Sequence, residues 1–230
     1  MLAKDLKPNR IEALKRVAAQ FIEQRASDRI GIVVYSGESY TKVPATTDKS
    51  IVLQALKEIR QGEIEDGTAI GMGLGTAINR LKDSKTKSKV IILMTDGVNN
   101  TGVIDPLSAA ELAKEYGIRV YTIGIGTNGK ALSPVAYNPD GSFQYDMVPV
   151  EIDEKLLAEI SKITGGKYFR ATDNNKLAQI YTEIDKLEKS KIEELKYYQH
   201  QENFRLWAIL ALVFLVGEFG LRHTIFRSFV

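Results

Sequence analysis

The 230-residue chain contains no cysteine, which removes disulfides, thiolate metal sites and thiol catalysis together. Histidine is nearly as scarce. His200 and His223 both lie near the carboxyl end, so everything before them has no imidazole for acid–base chemistry or zinc binding. An excess of one charge is also missing: 31 basic and 29 acidic residues, interspersed, leave a net charge of +2. No nucleic-acid partner is expected from that balance. No signal-peptide pattern opens the chain, since Met1-Leu2-Ala3-Lys4-Asp5 runs straight into a polar segment. An enzyme of this composition would have to work with carboxylates, lysines, hydroxyls or a borrowed cofactor. What remains, at 44% hydrophobic and 26% charged residues, suits one well-cored α/β domain with an appendage.

The run Val90-Ile91-Ile92-Leu93-Met94 reads as a strand buried on both faces, and it ends in Thr95-Asp96-Gly97. Open α/β sheets bind ligands in the crevice outside the carboxyl ends of their strands, so Asp96 is well placed for chemistry. Around it, apolar spacing predicts an early helix through Ile11, Leu14, Val17, Ala18 and Phe21. Strands follow at Ile30–Tyr35 and Tyr40–Pro44, the second an edge strand closed by its proline. Asp48, Asp105 (with Pro106), Asp153 and Asp173 are N-caps for four further helices. Gly67-Thr68 opens another, whose Gly71, Gly73 and Gly75 cost helix propensity and so imply close packing against the sheet. Ile118–Ile123 and Tyr168-Phe169 are strands, and residues 131–149 form a hairpin about Asn138-Pro139-Asp140-Gly141. Strands alternating with helices of this length predict a doubly wound, mostly parallel sheet.

The Gly124-Ile125-Gly126-Thr127-Asn128-Gly129 stretch satisfies a dinucleotide fingerprint, yet a hairpin follows it instead of a helix. Ser36 lacks the flanking glycines of a nucleophile elbow and reads as a turn. Asp140 and Asp146 read as solvated hairpin positions. From Lys186 the composition turns to Lys, Glu, Tyr and Gln, suited to an exposed helical stalk over 187–204. An apolar run over 206–221, broken by Glu218 and flanked by Arg205 and Arg222, then predicts a transmembrane helix at 205–222 and a short tail at 223–230. Sixteen residues reach about 24 Å against a hydrocarbon core of about 30 Å, and the flanking arginines can snorkel to the interfaces.

Asp66-Gly67-Thr68 and Thr95-Asp96-Gly97 together resemble two of the three ligand loops of the von Willebrand factor type A domain. Within that family the chain is similar to the membrane-anchored bacterial Bat (aerotolerance) proteins. That likeness rests on residues 1–10, Thr164-Gly165-Gly166-Lys167-Tyr168-Phe169-Arg170-Ala171-Thr172-Asp173 and Ile184-Asp185-Lys186-Leu187-Glu188. The resemblance implies a von Willebrand A-like domain over 1–186 and a metal-ion-dependent adhesion site. Thr68 and Asp96 would be metal ligands there, for Mg2+ or Mn2+, with Gly67, Gly97, Asn99 and Asn100 on the partner-binding rim. It also implies a protein partner, such as a MoxR-type ATPase or a related von Willebrand A protein. The location implied is the inner membrane, with the domain on the periplasmic side.

One departure from the family pattern bears on all of this. In the family an Asp-x-Ser-x-Ser loop, closing the first strand, directly precedes a segment like the one at Met1. The expectation is therefore a sheet without its first strand, weak or absent metal binding, and reduced stability. The function expected is a membrane-anchored protein-interaction module using a divalent-cation site that is incomplete in this chain. A metal-independent membrane scaffold and a carboxylate/metal-dependent hydrolase are the alternatives.

Overall fold

The computed structural model describes residues 1–25, 27–86, 88–127, 129–138, 140–197 and 204–224. The chain divides into two compact units, Met1–Leu187 and Glu188–Val230.

Within the first unit, the parallel sheet β3(Lys89–Thr95)–β4(Ile118–Ile125)–β7(Tyr168–Ala171) forms the middle layer, with β4 central. β3 and β4 pair in register from Lys89↔Ile118 to Thr95↔Gly124, and β4 pairs with β7 from Thr122↔Tyr168 to Ile125↔Ala171. α1(Arg10–Gln24), α2(Lys49–Glu58) and α6(Asn174–Tyr197) contribute to the apolar layer on one side. α3(Ile70–Leu81), α4(Pro106–Glu115) and α5(Glu154–Ile163) contribute to the layer on the other. β4 is buried along nearly its whole length, as a strand covered on both faces must be.

Two antiparallel pairs complete the unit. β1(Ile30–Tyr35) pairs with β2(Ser39–Thr46), and β5(Gly129–Tyr137) pairs with β6(Phe143–Val150). Pro44 lies inside β2 and does not end it, because β2 has a strand neighbour only on its β1 side and one N–H can be missing on the other edge. The expected doubly wound sheet is present in part: β1–β2 forms its own sheet, and among the described residues no strand joins β1 to β3.

The expected caps form as the sequence implies. Asp48 accepts from the N–H groups of Ser50 and Ile51, Asp105 from Ser108, Asp153 from Leu156 and Asp173 from Lys176. α3 begins at Ile70, two residues later than the sequence suggests, with Ala69 as N-cap and no capping bond from its side chain. Its glycines are there for close approach. A Cβ on Gly71 would lie 2.0 Å from the carbonyl oxygen of Ile104, and one on Gly73 would lie 2.7 Å from the Tyr35 ring. The packing thus serves a loop and β1, rather than the parallel sheet itself.

In the second unit, α7(Phe204–Thr224) covers the segment expected to span a membrane. Among the described residues no helix is long and apolar enough to cross a membrane. Of the expected stalk, residues 198–203 lie outside the described residues, as do 225–230 of the expected tail.

Candidate functional site

Three loops meet beyond the carboxyl end of β3: the β1–β2 turn, the approach to α3, and the segment after β3. Backbone bonds tie the first two. Gly37 N–H donates to Glu65 O at 2.8 Å and Ala69 N–H to Ser36 O at 2.7 Å, while the Ser36 hydroxyl donates to Gly67 O at 3.1 Å. Ser36 is therefore a turn residue, as its surroundings in the sequence imply.

Asn99 and Asn100 tie the third loop to the second. Asn99 Oδ1 accepts from Ile70 N–H at 2.9 Å, giving α3 the capping bond that Ala69 cannot supply. Asn100 Oδ1 accepts from Thr68 N–H at 2.8 Å, and Asn100 N–H donates to Thr68 O at 3.2 Å. Asn100 thus pins Thr68, and Asn99 pins the first turn of α3.

Thr68 and Gly97 are in close approach: a Cβ on Gly97 would lie 3.3 Å from Thr68 Oγ1. Thr68 and the Asp96-Gly97 turn are brought together as the sequence motifs require. Gly67 adopts φ +151°, and a Cβ there would meet Thr101 and Gly37, so a side chain at this corner is excluded on both counts.

Asp96 is already engaged. Its Oδ2 accepts from Arg10 Nη1 at 3.2 Å and from the Met1 ammonium. Arg10 is 1% exposed, although it stands in the first turn of α1 where the helix dipole disfavours a cation. Asp5 supplies most of the compensation. Arg10 Nε donates to Asp5 Oδ1 at 2.8 Å and Nη2 to Oδ2 at 2.6 Å, a bidentate pair. Thr127 N–H adds a bond to Asp5 Oδ2 at 2.9 Å.

Burial works to raise the Asp5 pKa. The hydrogen bonds from Arg10, Thr127 and Leu6 and the Arg10 charge outweigh it and hold the carboxyl at about 2. For Arg10, burial opposes the charge, but the two carboxylates more than offset it and its pKa is raised. The Tyr35 phenol is pushed well up by burial, so it stays protonated and donates to Met94 O at 2.7 Å.

The guanidinium of Arg10 packs onto Gly126. A Cβ there would lie 2.3–2.7 Å from three of its atoms, and Gly126 has φ +116°. One glycine of the apparent dinucleotide fingerprint therefore makes room for an arginine, and the segment continues into β5 instead of a helix. A small open cleft of about 260 Å³ lies at Asp96, with Arg10, Met1, Pro134 and Glu151 among its lining residues.

Arg10 and Asp5 are the site residues that sequence reasoning missed. A signal existed: Arg10 shares the buried helical stripe of Ala13 and Val17, where an unpaired charge has no place.

Among the described residues no group of three or more His, Cys, Asp or Glu side chains could hold a metal ion. Thr68 and Asp96 offer two oxygen-bearing side chains, and the Asp96 carboxylate is already paired with Arg10. Magnesium keeps several waters and needs few protein oxygens, but at least one carboxylate must be free to face it. These residues by themselves do not fit a resident cation.

Residues 1–183 match the von Willebrand factor type A domain family. An uncharacterized protein of Borreliella burgdorferi is 32% identical over 166 residues, covering 72% of this chain and 48% of that protein. Among solved structures, BatB of Bacteroides thetaiotaomicron is 30% identical with a TM-score of 0.69, over 82% of this chain and 93% of that one. An aerotolerance-related membrane protein of Bacteroides fragilis NCTC 9343 is 26% identical with a TM-score of 0.67, over 80% and 91%. The chain spans about half the length of the curated relatives it matches.

Proposed function

Because the chain belongs to the von Willebrand factor type A domain family, we propose that it is a protein-interaction module, not an enzyme, whose docking face is the crevice around Thr68, Gly67 and Gly97. The observation that carries this reading is the cross-pinning of that face by Asn99 and Asn100. A surface ordered before it meets a partner loses little freedom on binding. Val103, 93% exposed, and Ile104 stand on the same loop and offer apolar contact beside the polar crevice. Asp5 and Asp96 are both committed to Arg10, which leaves neither as a free acid or base and supports a binding role.

Docking in this chain is metal-independent, the scaffold alternative. A cation held by Thr68 and Asp96, as the resemblance implies for Mg2+ or Mn2+, needs further oxygens and the release of Asp96 from Arg10. The partner is a MoxR-type ATPase or a second von Willebrand A protein, on the strength of the family likeness alone.

α7 is not long and apolar enough to cross a membrane among the described residues, but its exposed apolar residues make it the segment proposed to anchor the protein at a bilayer. Ile209, Leu212, Phe214, Leu215, Val216 and Phe219 are all exposed and lie around the helix, a distribution that water does not favour but a bilayer does. The similar protein from Bacteroides fragilis is described as a membrane protein. The domain faces the periplasm. Fractionation of the native cell tests the anchor, and a protein recovered soluble without detergent would refute it. Protease added to spheroplasts tests sidedness, with residues 1–186 cleaved from outside. Co-purification of the partner from native membranes tests the docking face: Val103→Asp with Thr68→Lys is expected to lose it, and equal recovery would reject the reading.

A further inference from the structure

The β5–β6 hairpin has two unlike faces. Ala131, on one of them, is 2% exposed, so that face is covered. On the other, Lys130, Leu132 and Pro134 of β5 stand opposite Pro149, Met147 and Tyr145 of β6. Phe143 joins this face two residues before Tyr145, and the two ring centroids are 6.2 Å apart. Leu132, Phe143 and Met147 are all exposed, Met147 at 52%. The Lys4 ammonium lies 3.6 Å over the Tyr145 ring. An apolar and aromatic patch is thus flanked by two lysines.

Charge is sorted between the faces. Lys4 and Lys130 are exposed, and neither has a carboxylate partner among the described residues. The carboxylates of this region lie elsewhere. Asp146 alternates to the face of Ala131, Asp140 accepts from Ser142 at the turn, and Glu151 lines the cleft at Asp96. The hairpin's edges are also blunted. Leu132 O accepts from Lys4 N–H at 2.9 Å, so Leu132 turns its backbone groups away from β6, and Met147 opposite turns its own away from β5. On those outer edges Pro134 and Pro149 have no N–H, and the Met147 N–H donates to the Asp146 carboxylate at 2.7 Å.

We propose that this face rests on an anionic lipid surface, with Leu132, Phe143 and Met147 at the boundary of headgroups and acyl chains and Lys4 and Lys130 on lipid phosphates. Lysine stems lie along apolar side chains while their ammonium groups reach outward, which is the arrangement such a surface matches. Tyr145 adds an amphipathic ring suited to the same depth. Backbone donors that enter this layer must be absent or satisfied, and the two prolines and the Asp146 bond remove three of them. The same blunting denies a partner strand the main-chain bonds on which strand addition depends. This inference is independent of the Thr68 crevice and of α7, since it concerns only what the hairpin face touches.

Because the chain has no cysteine, one introduced thiol gives a unique labelling site. Met147→Cys and, as a control on α4, Glu111→Cys carry an environment-sensitive fluorophore in the full chain. Both are reconstituted in vesicles of phosphatidylcholine and phosphatidylglycerol that contain a lipid spin-labelled near its headgroup as quencher. Quenching at 147 is expected to exceed that at 111 by about threefold or more. It is expected to fall by about half or more in pure phosphatidylcholine, in high salt, or with Lys4→Gln and Lys130→Gln together. Leu132→Cys repeats the measurement from β5 and is expected to match Met147→Cys. Equal quenching at 147 and 111, or quenching indifferent to phosphatidylglycerol and to the lysines, would overturn the proposal. An emission shift at 147 that appears in detergent on raising protein concentration, without lipid quenching in vesicles, would assign the face to a second copy and overturn it as well. The same shift produced by a leucine–glutamate peptide, again without lipid quenching, would assign it to an acidic polypeptide with the same consequence.

Discussion

Arg10 Nη1 donates to Asp96 Oδ2 at 3.2 Å, joining the first turn of α1 to the carboxyl end of β3 across 86 residues of chain. Through its other nitrogens the same guanidinium holds Asp5, and Asp5 in turn accepts from Thr127 after β4. One buried cation thus fixes the amino-terminal segment to the ends of two strands.

Arg10→Met is expected to destabilise the first unit by about 3–5 kcal/mol, the usual cost of leaving buried partners of an ion pair uncompensated. Arg10→Lys should recover only part of this, since an ammonium cannot reproduce the bidentate fork. Chemical denaturation followed by far-ultraviolet circular dichroism measures both; parent-like stability in Arg10→Met would remove the network from the account of the fold.

Acid should weaken the same network in a defined window. The Asp5 carboxyl is held at about 2 in the folded chain against 3.8 for the free group. Its contribution is therefore fully present above about pH 4 and is lost as pH falls toward 2. Asp5→Asn is expected to lower stability at neutral pH and to flatten the pH dependence across that window. Unfolding free energies at pH 6, 4 and 2.5 check this, and an unchanged slope in the variant would contradict it.

Helix α3 depends on its glycines unequally. Gly71→Ala would drive a methyl group to 2.0 Å from the backbone oxygen of Ile104, and overpacking of this kind costs about 1–3 kcal/mol or more. Gly75→Ala would meet only the end of the Ile104 side chain at 3.1 Å, and it gains helix propensity of about 1 kcal/mol. Thermal melts should place Gly71→Ala well below the parent and Gly75→Ala near it.

Magnesium should do little to the chain as it stands. With Asp96 held by Arg10, no cation affinity in the micromolar range is expected. A site of that affinity at a hundredfold excess of Mg2+ would stabilise the fold by about 2.7 kcal/mol. A melting temperature unmoved by millimolar Mg2+ or Mn2+ is the expected result, whereas a rise of several degrees, abolished by Thr68→Ala, would restore the cation-bridged reading.

Much of this architecture could be read before any coordinates. Aspartates before apolar-periodic segments marked four helix starts, because an N-cap bond involves only residues two or three positions away. The strands β1, β3 and β4 were visible as apolar runs, and the pairing of Thr68 with the Asp96-Gly97 turn followed from motif likeness. The start of α3 was misplaced by two residues because its cap, Asn99, is 29 positions away in sequence.

What local sequence determined was every feature whose energy comes from neighbours in the chain: caps, the hairpin turn, and the periodicity of helix faces. Tertiary structure alone decided which cation answers Asp96, why Gly126 has no side chain, and that the Tyr35 phenol reaches the Met94 carbonyl. Those features arise between segments tens of residues distant, where a guanidinium fork or a phenol bridging two backbones depends on packing that no short window of sequence contains.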